Sequence, residues 1–185
     1  VLAVVVGVWA IGVNNQLVGL EQNVNAAWAQ VQNVYQRRAD LIPNLVETVK
    51  GFAAQERTVL EEVTKARASA TSIQLTPQAL NDPKSVERFR AAQAELSGAL
   101  SRLLVTVERY PDLKSNQNFL ALQSQLEGTE NRITVERRRY NEAVREYNTR
   151  VRLVPGSLVA GIAGFQQKTF FEAAPDAQAS PKVKF

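Results

Sequence analysis

The chain opens with thirteen uncharged residues, Val1 to Val13, that lead directly into a helical pattern. As a helix this run is roughly 20 Å long at about 1.5 Å per residue, which is shorter than the about 20 residues that cross a bilayer. We therefore expect it to be the C-terminal part of a transmembrane helix whose first turns precede Val1. The predicted membrane-facing residues are Val1, Leu2, Val4, Val5, Val6, Val8, Trp9, Ile11 and Val13.

Two other interpretations of this run stay open from the sequence alone. The apolar region of a signal peptide has a similar length, and Ala10, Ile11 and Gly12 form a small-x-small cleavage pattern. A buried core helix of a soluble protein is the second alternative.

The distribution of charge predicts an orientation and limits the chemistry. No Lys or Arg occurs between Val1 and Gln36, so the positive-inside rule places the long C-terminal part outside the cytoplasm. The net charge of +4 is modest and acids and bases are interspersed, so we predict no nucleic-acid partner. Without cysteine or histidine, the chain lacks thiolate nucleophiles, Cys/His zinc sites and the usual general base near neutral pH. We predict no cofactor, while a carboxylate-bound metal or a catalytic carboxylate pair stays open.

Apolar residues after Val13 recur every three or four positions, which predicts a long amphipathic helix. They are Leu17, Leu20, Val24, Ala27/Trp28, Val31, Val34/Tyr35, Leu41/Ile42, Leu45, Val49 and Phe52. The pattern keeps its phase across Pro43, so we expect a kink or short break there, with helical sequence continuing to about Ala70. Residues 71–82 lose the period and form the main loop. Asp82-Pro83 is typical of an N-cap followed by proline at the first helical position.

The second half of the chain predicts three more helices. The first carries Val86, Phe89, Gln93, Leu96, Leu100, Leu103 and Val107 inward and stops at Tyr110-Pro111. The next begins near Ser115 or Asn116, ends before Pro155-Gly156, and has the stripe Phe119, Leu122, Leu126, Thr129, Ile133, Glu136, Tyr140, Ala143/Val144, Tyr147 and Val151. A short helix over 158–165, capped by Ser157, precedes an irregular tail. We predict an all-α, elongated, antiparallel four-helix bundle whose first helix continues the transmembrane helix.

The chain closely resembles the LemA family of bacterial membrane-anchored proteins in three blocks: YQRRADLIPNLVETVKGF (35–52), ERYPDLKSNQNFLALQSQLEGTENRI (108–133) and RRRYNEAVREYN (137–148). The resemblance implies one helix in the cytoplasmic membrane and an extracytoplasmic bundle of four helices. It implies no established enzymatic activity and no catalytic or binding residues. We divide the chain accordingly into the end of a transmembrane helix (1–13), a LemA-like helical bundle (14–166) and an irregular tail (167–185).

The densest polar feature is the cluster Arg37, Arg38, Asp40, Pro43 and Asn44. Two guanidiniums beside a proline can grip a carboxylate or phosphate of a partner, because arginine binds such groups bidentately. The structural alternative is that Arg38 and Asp40 pair with charges on later helices, and that Asn44 satisfies carbonyls freed by Pro43.

Glu136 and Thr129 interrupt the apolar stripe of the longest C-terminal helix. A glutamate on an apolar seam can be an acid with a raised pKa, but such a group more commonly pairs with an arginine and fixes helix register. We take Arg38 as its natural partner. Paired with Asp40 or Glu47, Glu136 is also the acid that a carboxylate-pair hydrolase would use.

Two Tyr-Asn dipeptides, Tyr140-Asn141 and Tyr147-Asn148, lie on the same helix. Buried Tyr and Asn require hydrogen-bond partners, so a network that locks the bundle is the simplest interpretation. A carbohydrate-binding face is the alternative, since these residue types suit sugars.

Together these features favour a non-catalytic scaffold or adaptor of the envelope that acts through protein-protein contacts. Its expected partners are the lipid bilayer and another membrane or envelope protein, or a second copy of the chain. The small residues of 158–165, with Phe165, Phe170 and Phe171, form a candidate surface for assembly or for return to the membrane. The alternative function is an envelope hydrolase or carbohydrate-binding module acting on cell-wall material.

Overall fold

The computed structural model describes residues 2–171, with side chains from Val4 onward. Within this range it contains six α-helices, α1 (Leu2–Phe52), α2 (Arg57–Ser72), α3 (Pro83–Val107), α4 (Pro111–Lys114), α5 (Gln117–Arg152) and α6 (Gly156–Ala163), and a 3-10 turn at Ala79–Asn81. No strand occurs among the described residues, so the all-α prediction is confirmed. The four-helix antiparallel bundle stays a prediction about how these helices are arranged.

The first helix ends earlier than the periodic pattern predicts. We expected helical sequence to about Ala70, whereas α1 ends at Phe52 and Ala53–Glu56 turn the chain. Gly51 weakens helix propensity here, but no proline marks the turn. The turn is favoured because it packs α2 against α1 and α3. That packing buries apolar side chains that one straight helix would leave in water, namely Leu60, Val63, Ala66 and Ala70.

Pro43 does not break α1, because a side chain from α2 replaces the hydrogen bond that proline cannot make. In a regular helix the N–H of residue 43 would donate to the carbonyl of Ala39. That carbonyl instead accepts a 2.7 Å hydrogen bond from Nε of Arg67. We expected Asn44 in this role, but Asn44 is exposed and its own carbonyl accepts from Thr48. The helix continues to its end without the short break.

Replacing Pro43 with alanine should make the Arg67 hydrogen bond dispensable. In the natural chain, Arg67→Ala strands the Ala39 carbonyl and should lower the free energy of unfolding by about 1–3 kcal/mol. In the Pro43→Ala background residue 43 supplies its own N–H, so the same change should cost less than about 1 kcal/mol. Urea unfolding of the four proteins measures this coupling. Equal costs in the two backgrounds would show that Arg67 does not act through this carbonyl.

The two longest helices, α1 and α5, pack against each other along their length. Along α1 and α5, Trp28 packs on Tyr140 while Arg38 contacts Glu130, so the two helices run in opposite directions. α2 packs along α3. The described core has an aromatic cluster around Trp28 and an aliphatic cluster that includes Leu45. Arg38 lies between the two clusters along α1.

Most predicted helix ends are observed. Asp82 caps α3 with its two carboxylate oxygens, which accept from the backbone N–H groups of Lys84 and Ser85. Asn116 caps α5 with its amide oxygen, which accepts from the N–H of Phe119. α6 differs, because it begins at Gly156 and Ser157 lies inside its first turn rather than at its cap. It ends before Gly164, whose φ of 79° lies in the left-handed region that glycine adopts without strain.

Candidate functional site

Arg38 is buried between the two core clusters and joins three helices. Its side chain is 1% exposed. One terminal nitrogen donates to Oγ of Ser97 at 2.8 Å and to a carboxylate oxygen of Glu130 at 2.7 Å. The other donates to the carbonyl and to the side-chain oxygen of Gln93, and the ring of Tyr35 lies 5.2 Å away. We call Arg38, Gln93, Ser97 and Glu130 the Arg38 node, and we expect it to fix the register of α1, α3 and α5.

The other members of the predicted cluster do not converge on this node. Arg37, Asp40, Pro43 and Asn44 are all exposed. Asp40 accepts a hydrogen bond from a glutamine of its own helix rather than pairing with an arginine. Because Arg37 is exposed and Arg38 is buried, the two guanidiniums do not form the paired grip that the sequence suggested.

The predicted pair between Arg38 and Glu136 does not form. Glu130, six residues earlier on α5, takes that position, while Glu136 is partly buried and pairs with Arg139 at 2.9 Å. Glu47, a suggested catalytic partner of Glu136, is exposed. Within residues 2–171, no group of three or more acidic, His or Cys side chains is arranged to hold a metal ion.

Two asparagines of α5 bind the extended segment that follows α6. Asn148 donates to the carbonyl of Lys168 at 2.8 Å and accepts from the backbone N–H of the same residue at 2.9 Å. Asn141 makes the same pair of contacts with Phe171, at 2.8 and 2.7 Å. Each asparagine therefore satisfies both backbone groups of one residue, as a neighbouring strand would in a sheet.

The tyrosines extend this arrangement with the same repeat. The hydroxyls of Tyr147 and Tyr140 donate at 2.9 Å to the carbonyls of Gln166 and Thr169. The Tyr-Asn pairs are seven residues apart, a rise of about 10.5 Å on a helix. The residues whose backbone they bind are three positions apart, which is about 10 Å in an extended chain. The two spacings therefore match. We call the four side chains the Tyr-Asn ladder and residues 166–171 the bound segment. The predicted hydrogen-bond network is present, and its main partner is backbone.

The bound segment is also held by two of its own side chains. Phe171 is 1% exposed and lies against Trp28 and Phe89, with ring centroids 6.2 and 6.1 Å apart. Lys168 has a 4% exposed side chain and pairs with Glu21 of α1 at 2.8 Å. Phe171 is therefore a core residue and not part of an exposed assembly surface. The predicted irregular tail is packed as far as this residue, and residues 172–185 lie outside the described range.

Burial raises the pKa of the tyrosines in this region. The pKa of Tyr147 is raised to about 12, and the pKa of Tyr140 and of Tyr35 is raised above the ordinary value of 10.0. The main cause in each case is desolvation, which disfavours the charged phenolate. The ladder hydroxyls therefore remain hydrogen-bond donors throughout the physiological range.

The stability of the protein should fall as the pH rises above 10. Below that pH, Tyr147 is neutral in both states. Above it, the unfolded chain ionises first, while the folded chain keeps this proton to about pH 12. The free energy of unfolding, normalised to its value at neutral pH, should therefore drop more steeply over this window for the natural chain than for Tyr147→Phe. Parallel curves would show that the hydroxyl is not buried as described.

The N-terminal turns of α1 form an exposed apolar surface. Val4, Val8 and Ile11 are 69, 67 and 62% exposed. The helix contains a window of mean hydropathy 1.3 that is long and apolar enough to cross a membrane, and only 11% of this window is buried. Such low burial contradicts the core-helix interpretation, whereas a signal sequence would meet the same criterion.

Val13 differs from the other predicted membrane-facing residues. It is 6% exposed and belongs to the aromatic core cluster, so packing of α1 against the rest of the protein begins one turn before Leu17. Val1 and the side chain of Leu2 lie outside the described residues. The exposed apolar surface and the packed core therefore follow each other directly along one helix.

A comparison with curated proteins finds no match. A sequence model of the LemA family matches residues 27–185. This range contains the Arg38 node, the Tyr-Asn ladder and the bound segment, and it begins within α1 after the apolar turns. The match and the apolar N-terminal helix are together consistent with a membrane-associated helical protein. Because the match covers most of the sequence, the chain belongs to the LemA family.

Proposed function

We propose that the protein is a single-pass scaffold or adaptor of the bacterial envelope, anchored in the cytoplasmic membrane with most of the chain outside the cytoplasm. It acts without catalysis, by presenting helix surfaces to another membrane or envelope protein or to a second copy. The observation that carries the proposal is the continuity of α1, which passes from the exposed Val4 through the buried Val13 to Phe52.

A helix that is both anchor and core element would hold the domain at a set height. α1 has 51 residues, which correspond to roughly 76 Å at about 1.5 Å per residue. A bilayer core is about 30 Å thick, and the apolar turns of α1 that precede Val13 supply roughly 16 Å of it. The remainder of α1 projects from the membrane and packs along α5 with no flexible linker in between. Rigid support of this kind suits presentation of a surface better than it suits a tethered enzyme that must reach dispersed substrates.

The Arg38 node and the Tyr-Asn ladder make most of their hydrogen bonds within the protein. Arg38 donates to Gln93, Ser97 and Glu130, and its Nε has no hydrogen-bond partner among the described residues. The amide of Asn148 is occupied by backbone on both of its atoms. Buried networks of this kind specify one fold, and this supports a structural role for the residues that are most suggestive of chemistry.

Cross-linking in living cells tests the proposal, since a chain without cysteine allows single-cysteine variants. Val105 and Leu120 are exposed apolar residues, 71 and 47% accessible. With a cysteine-to-amine reagent, Val105→Cys and Leu120→Cys in the full chain should form discrete adducts that survive extraction from native membranes. A membrane-impermeant maleimide added to intact cells should label Val105→Cys but not Val8→Cys.

Three results would contradict this function. If both the Val105→Cys and the Leu120→Cys variant are recovered as monomers without adducts, the result would argue against a scaffold. Adducts of equal abundance at Arg138→Cys, an exposed position on a charged face, would indicate random collision. Labelling of Val105→Cys only after the membrane is permeabilised would place the domain in the cytoplasm.

A further inference from the structure

α6 packs against the protein through Gly156, Val159 and Ala160 and leaves two large apolar residues exposed. Gly156 and Ala160 are buried, and a Cβ at Gly156 would lie 2.0 Å from a backbone carbonyl oxygen at the end of α5. Leu158 and Ile162, four residues apart on one face, are 61 and 90% exposed, and Val154 just before them is 74% exposed. A contiguous apolar face of this kind commonly marks an interaction site.

This face lies beside the part of α1 that approaches the proposed membrane. Because α1 and α5 are antiparallel and Trp28 packs on Tyr140, the last turn of α5 at Val151 is level with Leu17. α6 follows after a short connection and contacts both helices. From Leu17 back to Ile11, an apolar residue of α1 that is 62% exposed, the helix rises about 9 Å. The exposed face of α6 therefore lies close to the end of the apolar surface of α1.

The charges at this end of the protein are positive. Residues 2–20 carry no charge, and residues 147–171 contain Arg150, Arg152 and Lys168 but no Asp or Glu. Lys168 pairs with Glu21, and the last turn of α5 carries two further basic residues, Arg150 and Arg152. Arginines next to an exposed apolar helix suit the anionic headgroups of a bilayer.

We infer that α6 is an interfacial helix that lies in the headgroup region of the bilayer that α1 crosses, with Val154, Leu158 and Ile162 toward the acyl chains. The inference rests on the proposed anchoring by α1 and adds a second membrane contact to it. Lipid fits this exposed apolar face better than a second copy of the chain does, for two reasons. The face continues the apolar surface of α1, and two copies meeting here would bring their arginines together. Two contacts on one rigid domain set its tilt as well as its height.

Depth-dependent fluorescence quenching tests this placement. The full chain is reconstituted into vesicles of phosphatidylethanolamine and phosphatidylglycerol, with an environment-sensitive fluorophore on Ile162→Cys, Val4→Cys or Val105→Cys. Nitroxide groups are placed either near the lipid headgroup or near the end of the acyl chain. The probe on Ile162→Cys should lose most of its emission to the shallow nitroxide and little to the deep one. The probe on Val4→Cys should respond to the deep nitroxide, and that on Val105→Cys, an exposed valine of α3, to neither.

The outcomes separate the inference from the anchoring on which it rests. Quenching at Val4→Cys without quenching at Ile162→Cys overturns the interfacial placement of α6 and leaves the anchor intact. Absence of quenching at Val4→Cys overturns the anchor itself. Equal quenching at Ile162→Cys and Val105→Cys overturns the specific placement, because any exposed residue would then reach lipid. Shielding of Ile162→Cys from a water-soluble quencher, with no response to either nitroxide, overturns it in favour of contact with a second copy.

Discussion

Replacing Arg38 with alanine is expected to lower the free energy of unfolding by about 3–5 kcal/mol. The side chain is 1% exposed, so its truncation leaves a cavity where α1, α3 and α5 meet. It also strands the side-chain oxygen of Gln93, which is 7% exposed, and removes the counterion of Glu130. Urea unfolding of the full chain in detergent micelles, followed by helical circular dichroism, measures the loss.

Two variants separate the causes of this effect. Arg37→Ala, at the exposed neighbouring position, should change stability by no more than about 0.5 kcal/mol. Arg38→Met keeps most of the buried volume but removes every hydrogen bond. A cost for Arg38→Met close to that of Arg38→Ala would assign the effect to the polar contacts, and a much smaller cost would assign it to packing. A cost for Arg38→Ala that matches Arg37→Ala would contradict the buried node altogether.

The second large effect is expected at Asn148, whose replacement by alanine should cost about 2–4 kcal/mol. The amide of Asn148 is the partner of both the N–H and the carbonyl of Lys168, and all of these groups are buried. Removing it leaves two backbone groups without a partner or forces the bound segment to detach. Thermal and urea unfolding measure the loss, and Asn131→Ala, an exposed asparagine of the same helix, is the matched control.

A double-mutant cycle tests whether Asn148 acts through the bound segment. Phe171→Ala removes the aromatic anchor of the same segment and should cost about 3–5 kcal/mol on its own. If either change detaches the segment, the double variant should cost clearly less than the sum of the two single variants. Additive costs would show that the amide contacts and the Phe171 packing stabilise the protein independently.

Helix ends that are marked by local chemistry could be predicted from the sequence. Asp82 with Pro83, and Asn116 at the start of α5, act on backbone groups within a few residues, so neighbours along the chain suffice. The turn after Phe52 has no comparable signal. It is stabilised by the burial of α2 against α1 and α3, a non-local contact on which helical periodicity carries no information.

The Arg38 node and the Tyr-Asn ladder differ in what the sequence reveals of them. Arg38 occupies an apolar seam position, which predicts burial with a partner. The choice between Glu130 and Glu136 depends on the register of α1 against α5, which packing along the whole interface determines. The seven-residue repeat of the ladder is visible as two Tyr-Asn dipeptides. Its bound segment carries no matching pattern, because the ladder binds backbone groups that nearly every residue possesses.

A distance measurement by electron paramagnetic resonance tests most directly whether α1 is one rigid helix from the membrane segment into the core. Spin labels on Val4→Cys and Gln22→Cys would both be exposed. The two positions are 18 residues apart, which corresponds to five helical turns on one face and about 27 Å. A rigid α1 predicts a single narrow distance distribution near that value in lipid nanodiscs. A broad distribution, or one centred well below it, would show a hinge between anchor and domain and contradict the proposed membrane-fixed scaffold.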